Sequence, residues 1–124
     1  MWESDHAAQA VGAEIVGSGP GHALVRLTVR RDMVNGHAIA HGAYVFLAAD
    51  TAFAYACNTG HPATVARSCQ IEFLAPAHAG DVLEAEATER MRAGRGGIYD
   101  VAVRRPADGA LIAEFRGHSR ELRT

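Results

Sequence analysis

The sequence predicts an α+β fold in which an antiparallel sheet of five to six strands wraps around one long central helix, with a short helix at the N-terminus. Three observations lead there. Gly42 to Asn58 is apolar on every side over helical length, which marks a helix covered by other structure. Two strand-like runs precede it and four follow, joined by turns rich in Gly and Pro. A parallel sheet would need more crossover helices than this chain offers, whereas antiparallel strands can each turn an apolar face to the single helix and hide it.

The elements follow in order. Glu3 to Val11 forms the short helix, with Ser4 or Asp5 as its cap. Ala13 to Gly17 and Ala23 to Arg30 flank Gly19-Pro20-Gly21 as a hairpin, and the second run sets Ala23, Val25, Leu27 and Val29 on one face. After the helix, Gly60 and Pro62 break the chain. Ala63 to Leu74 then resumes strand character, placing Val65, Cys69, Ile71 and Phe73 on one side with Arg67 interrupting that face. Asp81 to Met91 alternates Leu83, Ala85 and Ala87 against Glu84 and Glu86, a half-solvated strand. Turns at Gly94-Arg95-Gly96-Gly97 and Pro106-Ala107-Asp108-Gly109 lead into Ile98 to Arg105 and Leu111 to His118, so the C-terminal half is a meander.

At 124 residues the chain is one domain, 1–124, long enough for a single core and without room for a second. A net charge of -2 and a pI near 6.4 argue against a nucleic-acid footprint or a polybasic membrane anchor. All twelve cationic side chains are Arg, which leaves only planar, permanently charged donors for gripping phosphate. Cys57 and Cys69 have no metal or redox spacing and read as reduced, packed thiols. The acidic start lacks an apolar run, and the Gly42 helix is too short to cross a bilayer, so the expected location is the cytoplasm.

Asp50 is the one carboxylate in the apolar helix. Aspartate is a poor helix former and costs several kcal/mol to bury as an unpaired ion, so it stays in such a place only where something receives it. Either neighbouring backbone holds it or it is chemically active. An active carboxylate needs an electrophile held nearby, and the helix start at Gly42 offers unpartnered, partially positive N–H groups for a developing oxyanion. Within one chain the two groups cannot meet. Eight residues of helix put them about 12 Å apart along the axis and about 80° apart around it. A second copy of the helix alongside resolves this, with Gly42 of one subunit facing Asp50 of the other, twice over by a two-fold axis. The expectation is an obligate homodimer with two shared sites.

Other residues carry competing readings. His37 and His41 stand four apart and with Asp50 would make a metal triad, but Gly36 and the loop spoil the helical spacing of zinc motifs, so no metal is expected. Asn35 before Gly36 reads as a loop residue and Ser68 as a strand residue bonded within the sheet. Arg95 among glycines either contacts phosphates with Gly96 beside it or serves a hairpin turn. Tyr44, Phe46, Phe53 and Tyr55 read as core.

Asn35, His41-Gly42, the string LAADTAFAYACN, the strand end IEFLAPAHAGD and the terminal FRGHSR together resemble the hotdog-fold acyl-CoA thioesterases of the phenylacetate-degradation PaaI type, over nearly the whole chain. The resemblance implies an acyl-CoA substrate with an aryl-acetyl or related acyl group, no metal or redox cofactor, and a homotetramer built as a dimer of dimers. It implies that Asp50 is nucleophile or general base, that the Gly42 N–H polarises the thioester carbonyl, that Asn35 and His41 orient around it, and that Ser68 assists near the carboxylate. Ala43 departs from the pattern, standing where many relatives have a second glycine. Two rivals remain open: an acyl-thioester dehydratase or hydratase with His41 as base and Asp50 as its partner, and a non-catalytic acyl-CoA binding module.

Overall fold

The structure, a computed structural model, describes residues 1–122. Six strands form one sheet: β1 Glu14–Gly19, β2 His22–Thr28, β3 Thr64–Phe73, β4 Val82–Ala93, β5 Gly96–Arg105 and β6 Ala110–Glu121. Their order across the sheet is β1-β2-β4-β5-β6-β3, with every neighbouring pair antiparallel. Strands β1 and β3 are therefore the two edges. One 17-residue helix, Gly42–Asn58, lies on the sheet; a short helix α1, His6–Ala10, precedes β1, so the long helix is α2. No helix among the described residues is long and apolar enough to cross a membrane.

Alternation in the sequence builds this core directly. Val25 and Leu27 of β2, Leu83 and Ala85 of β4, and Val101 and Val103 of β5 are all buried, while the residues between them face outward. On α2 the facing positions Ala48, Ala49, Ala52 and Ala56 are small, which lets the helix lie close to the sheet. Phe53 fills the centre, its ring 5.6 Å from that of Tyr99 and 5.7 Å from that of Phe115. Gly117 of β6 lies under the same ring, and a Cβ there would stand 2.8 Å from its Cε2 and Cζ atoms.

Three local features differ from the sequence reading. The N-terminal helix is broken into a 3-10 turn, Trp2–Ser4, and α1, because Asp5 caps the second piece by accepting the Ala8 N–H at 3.2 Å. Val65 does not share the face of Cys69. A bulge at Arg67 inserts one residue between the Ala66–Ser119 and Ser68–His118 pairs, and a one-residue slip moves a side chain to the other face. The break in the apolar face at Arg67 is that bulge. Finally, the sheet does not cover α2 all round: Ala43, Leu47, Asp50 and Ala54 recur at helical spacing as an incompletely covered stripe.

The Gly117 contact is testable. Gly117→Ala should overpack the core beneath Phe53 and destabilise the fold by about 1–3 kcal/mol, read as a lower denaturant midpoint at unchanged slope.

Candidate active site

The segment entering α2 is pinned from both sides. Asn35 accepts the N–H groups of His37 (2.8 Å) and Ile39 (3.4 Å) on its Oδ1, closing an Asx turn. Ala40 N–H donates to the Ala77 carbonyl and His41 N–H to the Met33 carbonyl, each at 2.7 Å. His41 is the N-cap, with extended backbone and its Nδ1 accepting the Ala43 N–H at 3.1 Å. An amide only donates, so the neutral ring carries its proton on Nε2.

This arrangement spends the first-turn donors selectively. Ala43 N–H goes to the His41 ring, while Tyr44 N–H (3.0 Å) and Val45 N–H (3.5 Å) go to the His41 carbonyl. Gly42 N–H alone of the four has no partner among the described residues. It sits in a cleft of about 490 Å³ that also takes in Asn35, Ile39, Phe73, Leu74 and Ile112. No charged side chain lines that cleft. The structure thus brings Asn35 and Gly42 together, with His41 beside them.

Asp50 is elsewhere on the helix and does not line the cleft. It is half-buried, on the open stripe, and no hydrogen bond or ion pair to its carboxylate is found among the described residues. Burial first, and the nearby negative charge of Asp5 second, push its carboxyl above the ordinary carboxylate range. Asp5 itself accepts the Tyr55 hydroxyl at 3.2 Å, and Tyr55 is raised to about 12 by burial and then by Asp5. The sequence marks Asp5 only as a cap and Tyr55 only as core, so their link to Asp50 comes from the fold alone.

The remaining candidates are more distant. Ser68 pairs with His118, whereas the neighbouring Cys69–Gly117 and Ile71–Phe115 pairs face the helix, so Ser68 belongs to the outer face of the edge strand. Arg95 and Gly96 line a small crevice with Cys57 and Thr64 at the C-terminal end of α2. There Arg95 donates to the Glu121 carbonyl at 2.9 Å and closes the β4–β5 turn onto β6. No three His, Cys, Asp or Glu side chains converge among the described residues, so His37 and His41 make no triad with Asp50.

Comparison with known proteins decides the family. The model of the thioesterase superfamily matches residues 37–111. The chain belongs to the thioesterase superfamily. It is 43% identical over 122 residues to the acyl-coenzyme A thioesterase PaaI of Escherichia coli K12, covering 98% of this chain and 86% of that protein. The structure of the E. coli PaaI protein from the phenylacetic acid degradation operon superposes with a TM-score of 0.96 at 42% identity, covering 99% of this chain and 88% of that one. A mutant of the phenylacetic acid degradation protein PaaI from Thermus thermophilus gives 0.90 at 37%, over 95% of this chain and 100% of that one. The fold is the hotdog fold, and this superfamily member is a thioester hydrolase of the PaaI type.

The raised carboxyl of Asp50 has a consequence for stability. The folded chain favours its protonated form, so that contribution is fully present below the unfolded pKa and is lost as pH rises through the raised folded value. Asp50→Asn should therefore melt higher than the parent at neutral pH, with the difference vanishing in acid below about pH 4. A neutral-pH melting point at or below the parent's would show that the carboxylate is received after all.

Proposed function

We propose that the chain hydrolyses acyl-CoA thioesters, of aryl-acetyl or related acyl groups, to free CoA and a carboxylic acid at sites shared between two subunits. One observation carries this reading: the one first-turn N–H of α2 without a partner among the described residues lies in an uncharged cleft, while the unpartnered carboxylate eight residues on lies outside it. Two antiparallel copies of α2 crossing near Phe46 would set each Gly42 against the other copy's Asp50. The open stripe of Leu47, Asp50 and Ala54 is the surface such a copy would cover, and the unpaired edge of β3 runs beside it. Pairs of such dimers would give the tetramer, in a reducing cytoplasm.

In the reaction, the carbonyl oxygen takes the Gly42 N–H as negative charge develops on it. The Asn35 amide, its oxygen already committed to two backbone N–H groups, offers its NH₂, and His41 offers Nε2–H. Asp50 either removes a proton from water as the water oxygen bonds the carbonyl carbon, or attacks that carbon itself, with water then releasing the acyl group. The C–S bond breaks, and the thiolate, an ion of an acid with pKa about 8.5, departs without a strong general acid. Arg95 and Gly96 of one subunit, at the C-terminal end of its helix, would stand near the other's cleft and meet the CoA phosphates. Ser68 has a supporting role in this scheme only where the bulge at Arg67 turns on assembly; Ser68→Ala with unchanged kcat would remove it. The dehydratase reading is disfavoured because the His41 lone pair that would act as base is spent on Ala43.

Gly42→Pro is a sharp probe when made and compared in the Phe73→Ala background, where the ring that a Cβ at position 42 would meet is absent, since His41 already has the extended backbone that precedes proline and the first helical position tolerates it. It deletes one N–H and should lower kcat about 10²–10³-fold. Asp50→Ala should abolish thiol release while acyl-CoA still binds. Mixing the two inactive variants should restore one competent site per hybrid dimer. Hybrids with no activity would sink the shared site, and full turnover by Asp50→Ala would remove Asp50 from the chemistry.

A further inference from the structure

Gly42 has an ordinary helical backbone, so its lack of a side chain is not a matter of conformation. What a side chain there would press against is Phe73. A Cβ on Gly42 would stand 3.0 Å from the Phe73 Cζ and 3.3 Å from its Cε1, so the ring lies directly on the glycine. Phe73 ends the edge strand β3 and is still 55% exposed, and its exposed face borders the cleft that holds Gly42 and Asn35. A large aromatic half-exposed in the single chain and set against Gly42 is poorly explained as core.

We infer that Phe73 is the specificity-determining residue of the thioesterase reaction, the wall against which the acyl group packs when its carbonyl oxygen reaches Gly42. This rests on the acyl-CoA reading above. An aryl ring one methylene from the carbonyl falls within reach of Phe73, where two rings gain from edge or offset contact; a straight alkyl chain does not make that pair. Apart from Asn35, the remaining side chains of the lining, Ile39, Leu74 and Ile112 among them, are apolar and select against charged acyl groups without choosing between aryl and alkyl. Phe73 makes that choice.

The test compares kcat/KM for phenylacetyl-CoA and octanoyl-CoA in the parent, Phe73→Leu and Phe73→Ala. The phenylacetyl-to-octanoyl ratio should fall about tenfold in Phe73→Ala and less in Phe73→Leu, with KM for the aryl ester carrying most of the change. Gly42→Ala should lose activity, and adding Phe73→Ala should restore it, because the clash is removed with the ring. Melting curves and subunit counts identify a folded, assembled variant, and Phe73→Leu keeps the strand apolar should the alanine variant fail to fold. An unchanged ratio in a folded variant, or a double variant as inactive as Gly42→Ala alone, would overturn the inference. A parent that cleaves neither ester would instead sink the acyl-CoA reading, a distinguishable result.

Discussion

The structure depends on an unmatched pair: a carboxylate with no donor and an amide with no acceptor among the described residues, fixed on one helix where they cannot reach each other. Both are costly alone. A half-buried Asp50 gains neither full hydration nor a partner, and its raised carboxyl expresses that cost. Gly42 is left over from a first turn in which His41 satisfies every other donor, twice with its carbonyl and once with its ring. A helix start optimised for stability would cap with Ser, Thr, Asp or Asn; a histidine cap gives up some stability and leaves an Nε2–H pointing outward.

The sheet's part is to hold that helix with one stripe open. Alanines at Ala48, Ala49, Ala52 and Ala56 bring α2 down onto β2, β4 and β5, and the Phe53 ring over Gly117 fixes its height. The opposite stripe is incompletely covered by its own chain. Beside it runs β3, ten residues with one edge unpaired and with Val65 and Phe73 exposed at its two ends. Long edge strands are usually blunted by charge, bulge or cover, and here the bulge at Arg67 is the main such device along the strand. An uncovered stripe and a lightly guarded edge, adjoining each other, form one continuous surface suited to a second copy.

Much of this is legible in the residues. Period-two alternation gives the buried faces of β2 and β4 to the residue, and the apolar run from Gly42 to Asn58 gives the bounds of α2, because local pattern and tertiary burial agree there. Where they part, the reading fails for identifiable reasons. Arg67 visibly disturbs its face, but a bulge and a tolerated charge look alike in one dimension, so alternation alone sets Val65 on the wrong side. The helix reads as covered all round, since Leu47 and Ala54 are as apolar as their buried neighbours and nothing local sets them apart. Ser68 owes its place to family likeness, and its register sets it on the outer face of its own chain.

Phe73 illustrates the deepest limit, and also why the site works as a unit. Nothing local tells a strand-ending phenylalanine from a core one; its meaning comes from crossing Gly42, 31 positions earlier. An exposed N–H bonded to water contributes little to an oxyanion, because water must be displaced before charge is stabilised. In the proposed reaction an apolar ring beside the glycine would lower the dielectric around the site, so that a hydrogen bond from the N–H to the arriving carbonyl oxygen would be stronger. The missing Cβ of Gly42 thus serves the ring first and the substrate through it. In that reaction the ring that would select the acyl group also borders the donor that would meet its carbonyl oxygen.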